Sequence, residues 1–382
     1  MTSSALYLHI PFCVRRCLYC DFYVLPLGDG PPSKRMRDFR SLKHRRFLQA
    51  LDKELEHLPK SFQPETVYIG GGTPTELPPD DLRRVFDSLE KHVDLSRVTE
   101  FSCEANPGTL DQEMAELLIS RGVTRVSLGV QSFVDRTLES LGRIHNALDA
   151  KEGVKILREA GCNNLSLDLL FALPGTESGD LEQNLNALRE LQPDHVSWYS
   201  LEFEPGTAFT DMKEKGFLQE PTQEETAEEY DAIRAGIMNL GLQQYELFSF
   251  TAPGKECLHN INYWRGGEYM GCGPSAHSHW EGKRWQNKPD LASYVERTGM
   301  SALHEELPRE EKARERLMTA LRITEGVEDR WFTQETGFSI PELLGDALRV
   351  WQTSEWIDWD GKRLRLKPEA YLISDHLFRE FI

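Results

Sequence analysis

No stretch of the 382-residue chain approaches the ~20 consecutive apolar residues that a membrane-spanning helix needs. The opening residues, Met1 to Ile10, lack the basic start and apolar run of a secretory leader, so none is expected. Positive charge is scarce as well. Lys and Arg number 44 against 62 Asp and Glu, a formal net charge of −18, whereas a general nucleic-acid binder needs a basic surface to neutralise phosphates. Cysteine is sparse: seven residues, odd in number and widely spread, do not form the disulfide framework of a small secreted protein. These absences leave a globular, cytoplasmic chain in a reducing compartment, long enough for one large domain and a smaller one.

Apolar runs and amphipathic stretches alternate through the first two thirds of the chain. The pattern predicts strands at 6–10, 66–69, 99–103, 125–130, 164–170 and 196–201, with helices at 41–58, 80–92, 111–121, 148–160, 181–191 and 222–240. Such strand–helix repetition argues for a parallel sheet, either a full or partial β/α barrel or an open doubly wound sheet. Polar or glycine-rich residues gather where successive strands end, at 13–20, 70–73, Glu104, Gln131, Asp168 and Ser200. That placement favours a partial (β/α)6 TIM-like barrel, since barrel sites are built on those ends; the plainer reading is that turns begin there and attract polar residues. The expected organisation is a core barrel over 1–250, a His-, aromatic- and Gly-rich loop over 251–307, and a small helical, winged-helix-like domain over 308–382. Asp360-Gly361 between two short alternating runs signals a hairpin in that last part.

Three of the cysteines stand together. Cys13, Cys17 and Cys20 form a C-x3-C-x2-C run directly after the first strand. Three thiolates on one short loop suit a 4Fe–4S cube, each reaching a different iron and leaving the fourth iron open. Zinc, or three buried structural cysteines, is the alternative that the spacing alone leaves. Cys103, Cys162, Cys257 and Cys272 read as small buried hydrophobes. A second motif, Gly70-Gly71-Gly72-Thr73-Pro74, follows the second strand, where absent side chains let backbone approach a ligand.

The cysteine run resembles that of the radical S-adenosylmethionine superfamily. In that family the open iron chelates the methionine moiety, and reductive cleavage of the sulfonium yields a 5′-deoxyadenosyl radical. The resemblance narrows to the oxygen-independent coproporphyrinogen III oxidase group, which includes the HemN-type oxidases and the HemW-type heme chaperones. It is carried by Tyr7-Leu8-His9-Ile10-Pro11-Phe12-Cys13, the glycine motif, Glu104-Ala105-Asn106-Pro107, the 127–133 stretch, Leu141-Gly142-Arg143 and the 168–175 stretch. It implies that Tyr7, Tyr19, Gly71, Gly72, Thr73, Glu104, Gln131, Arg143 and Asp168 line an S-adenosylmethionine pocket. Each also has a plainer reading, as a strand-end charge, a cap or a solvated helix residue.

Two details separate oxidase from chaperone within this resemblance. The oxidases carry a further cysteine two residues after the last cluster cysteine; here Phe22 stands at that place. Conversely, His259-Asn260-Ile261-Asn262-Tyr263-Trp264 resembles the H-N-x-x-Y-W element of the chaperones, and the 269–278 stretch resembles a second element of theirs. The implied function is a heme chaperone that uses a 4Fe–4S cluster, S-adenosylmethionine and an electron donor, and passes heme to acceptor proteins, at the membrane surface in one version. The alternative is oxidative decarboxylation of coproporphyrinogen III. His259, Tyr263, Trp264 and His277 are the expected heme contacts, because histidine ligates heme iron and flat aromatics stack on the macrocycle; His259 is the first candidate iron ligand, with His277 and His9 behind it. A hydrogen-bonded loop scaffold is the competing reading of His259. The basic residues from Lys34 to Arg46 suit either heme propionates, an anionic membrane surface or a solvated helix start.

Overall fold

The computed structural model describes residues 4–28, 34–296, 300–301 and 307–379. Six strands form its centre: β1 (Ser4–Ile10), β2 (Thr66–Gly71), β3 (Glu100–Ala105), β4 (Arg125–Gln131), β5 (Leu165–Phe171) and β6 (His195–Ser200). Each is followed by a long helix: α1 (Lys34–Glu56), α2 (Pro79–His92), α3 (Gln112–Ser120), α4 (Ala147–Glu159), α5 (Asp180–Leu191) and α6 (Gln223–Asn239). Neighbouring strands pair in parallel and in chain order from β1 to β6. A doubly wound sheet requires that order to reverse. Without a reversal, right-handed crossovers set all the helices on one face, and the other face curls inward as the wall of a partial barrel.

Alternation along the strands sorts the two faces. Val67 and Ile69, Phe101 and Cys103, Val126 and Leu128, Leu165 and Leu167, and Val196 and Trp198 are buried in the core that the helices cover. The residues of opposite parity are polar: Tyr68, Glu104, Arg125, Ser127, Asp168, Ser197 and Tyr199 all border the barrel cavity. Period-2 alternation therefore separates a dry outer layer from a polar interior.

The segment expected as a loop over 251–307 is instead largely regular. After β7 (Gln243–Glu246) and β8 (Ser249–Thr251), of which β8 runs antiparallel beside β6 and β7 antiparallel beside β8, come helix α7 (Leu258–Trp264) and a meander of β9 (Glu268–Cys272), β10 (His277–Trp280) and β11 (Lys283–Asn287). Strand β9 lies parallel to β1, so the meander extends the barrel sheet on its first edge. This pairing joins residues about 260 positions apart, and no local signal announces a partner that distant. Glycines obscure the alternation further; Gly271 and Gly273 stand where a Cβ would collide with the carbonyl oxygens of His277 and His9.

Among the described residues the C-terminal part comprises helix α8 (Arg309–Ala320), four shorter helices and a three-stranded sheet containing the expected hairpin. Asp360 accepts the Lys362 and Arg363 amides at 2.8 Å each, and Gly361 takes φ +85°. Gly345, at φ +51°, separates the helices Ile340–Leu344 and Asp346–Thr353. After the hairpin come the 3-10 turn Pro368–Ala370 and the helix Ser374–Arg379. The helices and sheet share one continuous core with the barrel. Among the described residues, no helix is long and apolar enough to cross a membrane. Of the basic run, Arg40 donates to the carbonyls of Leu27 and Gly28; the side chains of Lys34, Arg35 and Arg37 lie outside the described residues.

Candidate functional site

A single cavity of about 1640 Å³ opens at the C-terminal ends of β1 to β6 and runs beneath the meander to α8. Every residue expected to contact cluster, cofactor or heme borders it: Cys13, Cys17, Cys20, Tyr7, Tyr19, Gly71, Gly72, Thr73, Glu104, Gln131, Arg143, Asp168, His259, Tyr263, Trp264 and His277. Ligand pockets commonly enclose roughly 300–1,000 Å³, so this one has room for more than one small molecule.

The cysteine loop forms one wall. All seven cysteines are free, and the four outside the loop are buried. The Cys13 thiol lies 3.5 Å from Thr73 Oγ1, and Arg143 Nη1 donates to Cys17 Sγ at 3.2 Å. Burial, the largest influence, pushes the Cys13 thiol up to about 12 and the Cys20 thiol to about 11. Unligated, both therefore stay protonated at neutral pH, and ionising them requires a strong positive partner such as a metal centre. Among the described residues, no three His, Cys, Asp or Glu side chains converge on a single ion; a cube takes its three thiolates on three different irons. Phe22, directly after the loop, is 62% exposed at the cavity mouth.

The glycine motif is the second wall, and its shape is enforced by contact. A Cβ on Gly71, at φ +107°, would come 2.5 Å from His9 Nδ1, and one on Gly72 would come 2.7 Å from the Phe12 carbonyl oxygen. His9 is itself fixed: Nε2 donates to the Tyr23 carbonyl at 2.9 Å and Nδ1 faces the Tyr7 hydroxyl at 3.2 Å. Burial lowers its pKa to about 4, so it is a neutral scaffold. Beneath the motif, Glu104 accepts from the Tyr68 hydroxyl at 3.0 Å and the Gly71 amide at 3.1 Å. Burial first, then the Asp168 charge, lifts Glu104 to about 7. Asp168 accepts from Ser127 and Ser166 and is likewise raised, chiefly by burial.

Arg143 and Gln131 complete this end. Arg143 Nη2 donates to the Gly129 carbonyl at 2.7 Å, while its buried Nε has no partner. Gln131 ends β4 at φ +68°, a conformation that strains a residue with a side chain and that recurs at ligand sites. These residues fit a small zwitterion beside a cluster: a three-thiol loop, a glycine cradle with no room for Cβ atoms, two half-buried carboxylates and an orphaned guanidinium nitrogen.

At the other end of the strands, α7 plugs the barrel floor. The Glu100 carboxylate accepts the Leu258 and His259 amides at 2.7 and 3.1 Å, capping the helix from inside the barrel. His259 is 1% exposed, and both ring nitrogens are occupied, Nδ1 by Thr66 Oγ1 and Nε2 by the Tyr263 hydroxyl, each at 2.9 Å. Burial, then Arg125, lowers its pKa to about 3. It is built here as a scaffold, and iron ligation would cost it one of those bonds. Rings continue outward from it: Tyr68–His259 at 5.0 Å, His259–Tyr263 at 4.9 Å, Tyr263–Tyr269 at 4.7 Å and Tyr269–His279 at 6.0 Å. Trp264 carries the Arg322 guanidinium 4.6 Å over its ring. By contrast, the His277 side chain is exposed in the cavity.

Tyr68, Glu100, Arg125 and His195 were not singled out from the sequence. Their signal is polar residues at one parity within otherwise apolar strands, as in Glu100-Phe101-Ser102-Cys103-Glu104, which marks a polar barrel interior.

Comparison with known proteins agrees with this geometry. Residues 7–188 match the model of the Radical SAM superfamily, and residues 307–373 match that of the HemN C-terminal domain. The heme chaperone HemW of Bacillus subtilis is 33% identical, over 98% of each chain. Its Escherichia coli namesake is 36% identical, over 72% of this chain and 69% of its own. Among solved structures, coproporphyrinogen III oxidase (HemN) from Escherichia coli superposes with a TM-score of 0.81 at 21% identity, covering 100% of this chain and 90% of that one. At that identity the likeness speaks for the fold alone.

Proposed function

The chain belongs to the HemW family within the radical SAM superfamily, and from that premise we propose that it is a heme chaperone: it holds a 4Fe–4S cluster and S-adenosylmethionine, takes up heme and hands it to acceptor proteins. One observation carries the proposal. The cysteine loop, the glycine cradle, the half-buried carboxylates and the aromatic–histidine face all border one cavity whose volume exceeds what one small molecule fills.

In this reading Cys13, Cys17 and Cys20 hold the cluster, which supplies one-electron chemistry when bound. Gly71, Gly72 and Thr73 bring backbone close to the methionine moiety of the adenosylmethionine, while Glu104, Asp168 and Gln131 accept its hydrogen bonds and Arg143 meets its carboxylate. Tyr7 and Tyr19 fill the pocket sides. Heme occupies the part of the cavity toward α8. There His277 is the favoured iron ligand, because its ring is exposed, and Tyr263, Trp264 and buried His259 form the supporting platform.

Phe22 argues against porphyrin decarboxylation, since the resemblance places a further cysteine there in the oxidases. The decisive experiment is anaerobic reconstitution of the cluster, followed by heme titration and incubation with coproporphyrinogen III, adenosylmethionine and a reductant. Stoichiometric heme binding without protoporphyrinogen formation is expected. Sustained decarboxylation would replace the chaperone reading with the oxidase one.

A further inference from the structure

Arg125 begins β4 and points into the barrel, where it is 2% exposed. Only Nη2 has a neighbour within hydrogen-bonding reach, His195 Nδ1 at 3.4 Å; Nε and Nη1 have none. Among the described residues it forms no ion pair at contact distance. A buried guanidinium with idle donors is costly and persists only where its charge offsets others. Those charges are close. Strand β4 lies between β3, which carries Glu104, and β5, which carries Asp168. The register sets Ser102 beside Arg125 and Glu104 beside Ser127, with Asp168 one step higher beside Gly129. Two carboxyls thus sit above a single buried cation; burial raises both, and the Arg125 charge opposes that rise.

We propose that Arg125 is a positioning residue of the adenosylmethionine pocket: a cation beneath the pocket floor whose charge favours the paired carboxylates Glu104 and Asp168, without itself touching the ligand. This inference rests on the reading of the pocket given above. The remaining groups around Arg125 are Tyr68 on β2, Glu100 on β3, His195 on β6, Tyr245 on β7, and Cys257 and His259 at α7. Both histidines are held neutral, by burial and then by Arg125 itself. Glu100 is committed to the α7 amides. The two carboxylates left to face the ligand are Glu104 and Asp168.

Calorimetric binding of S-adenosylmethionine to the reconstituted, full-length protein across neutral to alkaline pH tests this, using wild type, Arg125→Met, Arg125→Gln and Arg125→Lys. The neutral variants should bind roughly tenfold or more weakly at neutral pH and recover as pH rises, because each unit of upward pKa shift cuts the ionised fraction about tenfold. Arg125→Lys should follow the wild-type profile. A loss by the same factor at every pH, which a purely structural role or a partnership with Glu100 alone would give, overturns the proposal, as does wild-type binding in both neutral variants. Thermal unfolding of each variant separates misfolding from the pH effect, and a folded Arg125→Lys with the profile of Arg125→Met also overturns it. No binding by wild type at any pH overturns the pocket reading itself.

Discussion

Replacing His259 by alanine removes a ring whose two nitrogens bond Thr66 Oγ1 and the Tyr263 hydroxyl deep under the barrel. Thr66 is 2% exposed, so water cannot readily replace the lost partner. Each buried polar group left unmet costs about 1–3 kcal/mol, and the void adds a large-to-small packing cost. The total is about 3–6 kcal/mol, a severe loss against the ~5–15 kcal/mol by which whole domains are stable. Thermal and urea unfolding of the apo chain should register it as a clear destabilisation. Heme titration of the surviving folded fraction should still show a histidine-ligated spectrum. His277→Ala should behave oppositely: its ring is exposed, so stability should change by no more than ~0.5 kcal/mol, while the ligated heme spectrum is lost. If His259→Ala unfolds like wild type yet abolishes the heme spectrum, the scaffold assignment is refuted and His259 is the ligand.

The pH dependence of stability follows from Glu104. Its folded-state pKa is raised to about 7 by burial and then by Asp168, so its contribution is fully present below the ordinary glutamate range and is lost as pH rises through about 7. Melting curves should accordingly show Glu104→Gln more stable than wild type at pH 8, with the advantage disappearing below pH 5; an advantage independent of pH would contradict the buried charge. Gly71→Ala forces a Cβ 2.5 Å from the His9 ring at φ +107°. Since a left-handed residue with a side chain already costs about 1–2 kcal/mol, calorimetry should find adenosylmethionine binding weakened roughly tenfold or more. Cys13→Ala removes a thiol whose hydrogen-bond partner is Thr73, so the apo chain should keep its circular dichroism while iron and sulfide analysis finds no stable cluster.

Much of the barrel was legible because its signals are local. The six strands and six helices stand close to where periodicity put them, except that α1 starts at Lys34 rather than residue 41. Loop chemistry was equally local: the cysteine and glycine motifs each occupy one short turn at a strand end. What escaped depends on distance along the chain. The β9–β1 pairing makes the His- and Gly-rich segment part of the sheet, and Glu100 caps α7 from 158 residues away. Neither has a signature that one window of sequence can contain. His259 shows the same limit from the other side. Its motif was visible, but only the position of Thr66 reveals that both its nitrogens are spoken for.

The proposed function depends first on Cys13, Cys17 and Cys20 holding a cluster beside an adenosylmethionine pocket. Electron paramagnetic resonance of the anaerobically reconstituted, reduced protein, recorded with and without S-adenosylmethionine, tests it most directly. A single 4Fe–4S signal that changes on adding the ligand is predicted, with both the signal and its response lost when any of the three cysteines is replaced by alanine. A cluster signal indifferent to adenosylmethionine, or one that survives those replacements, would contradict it.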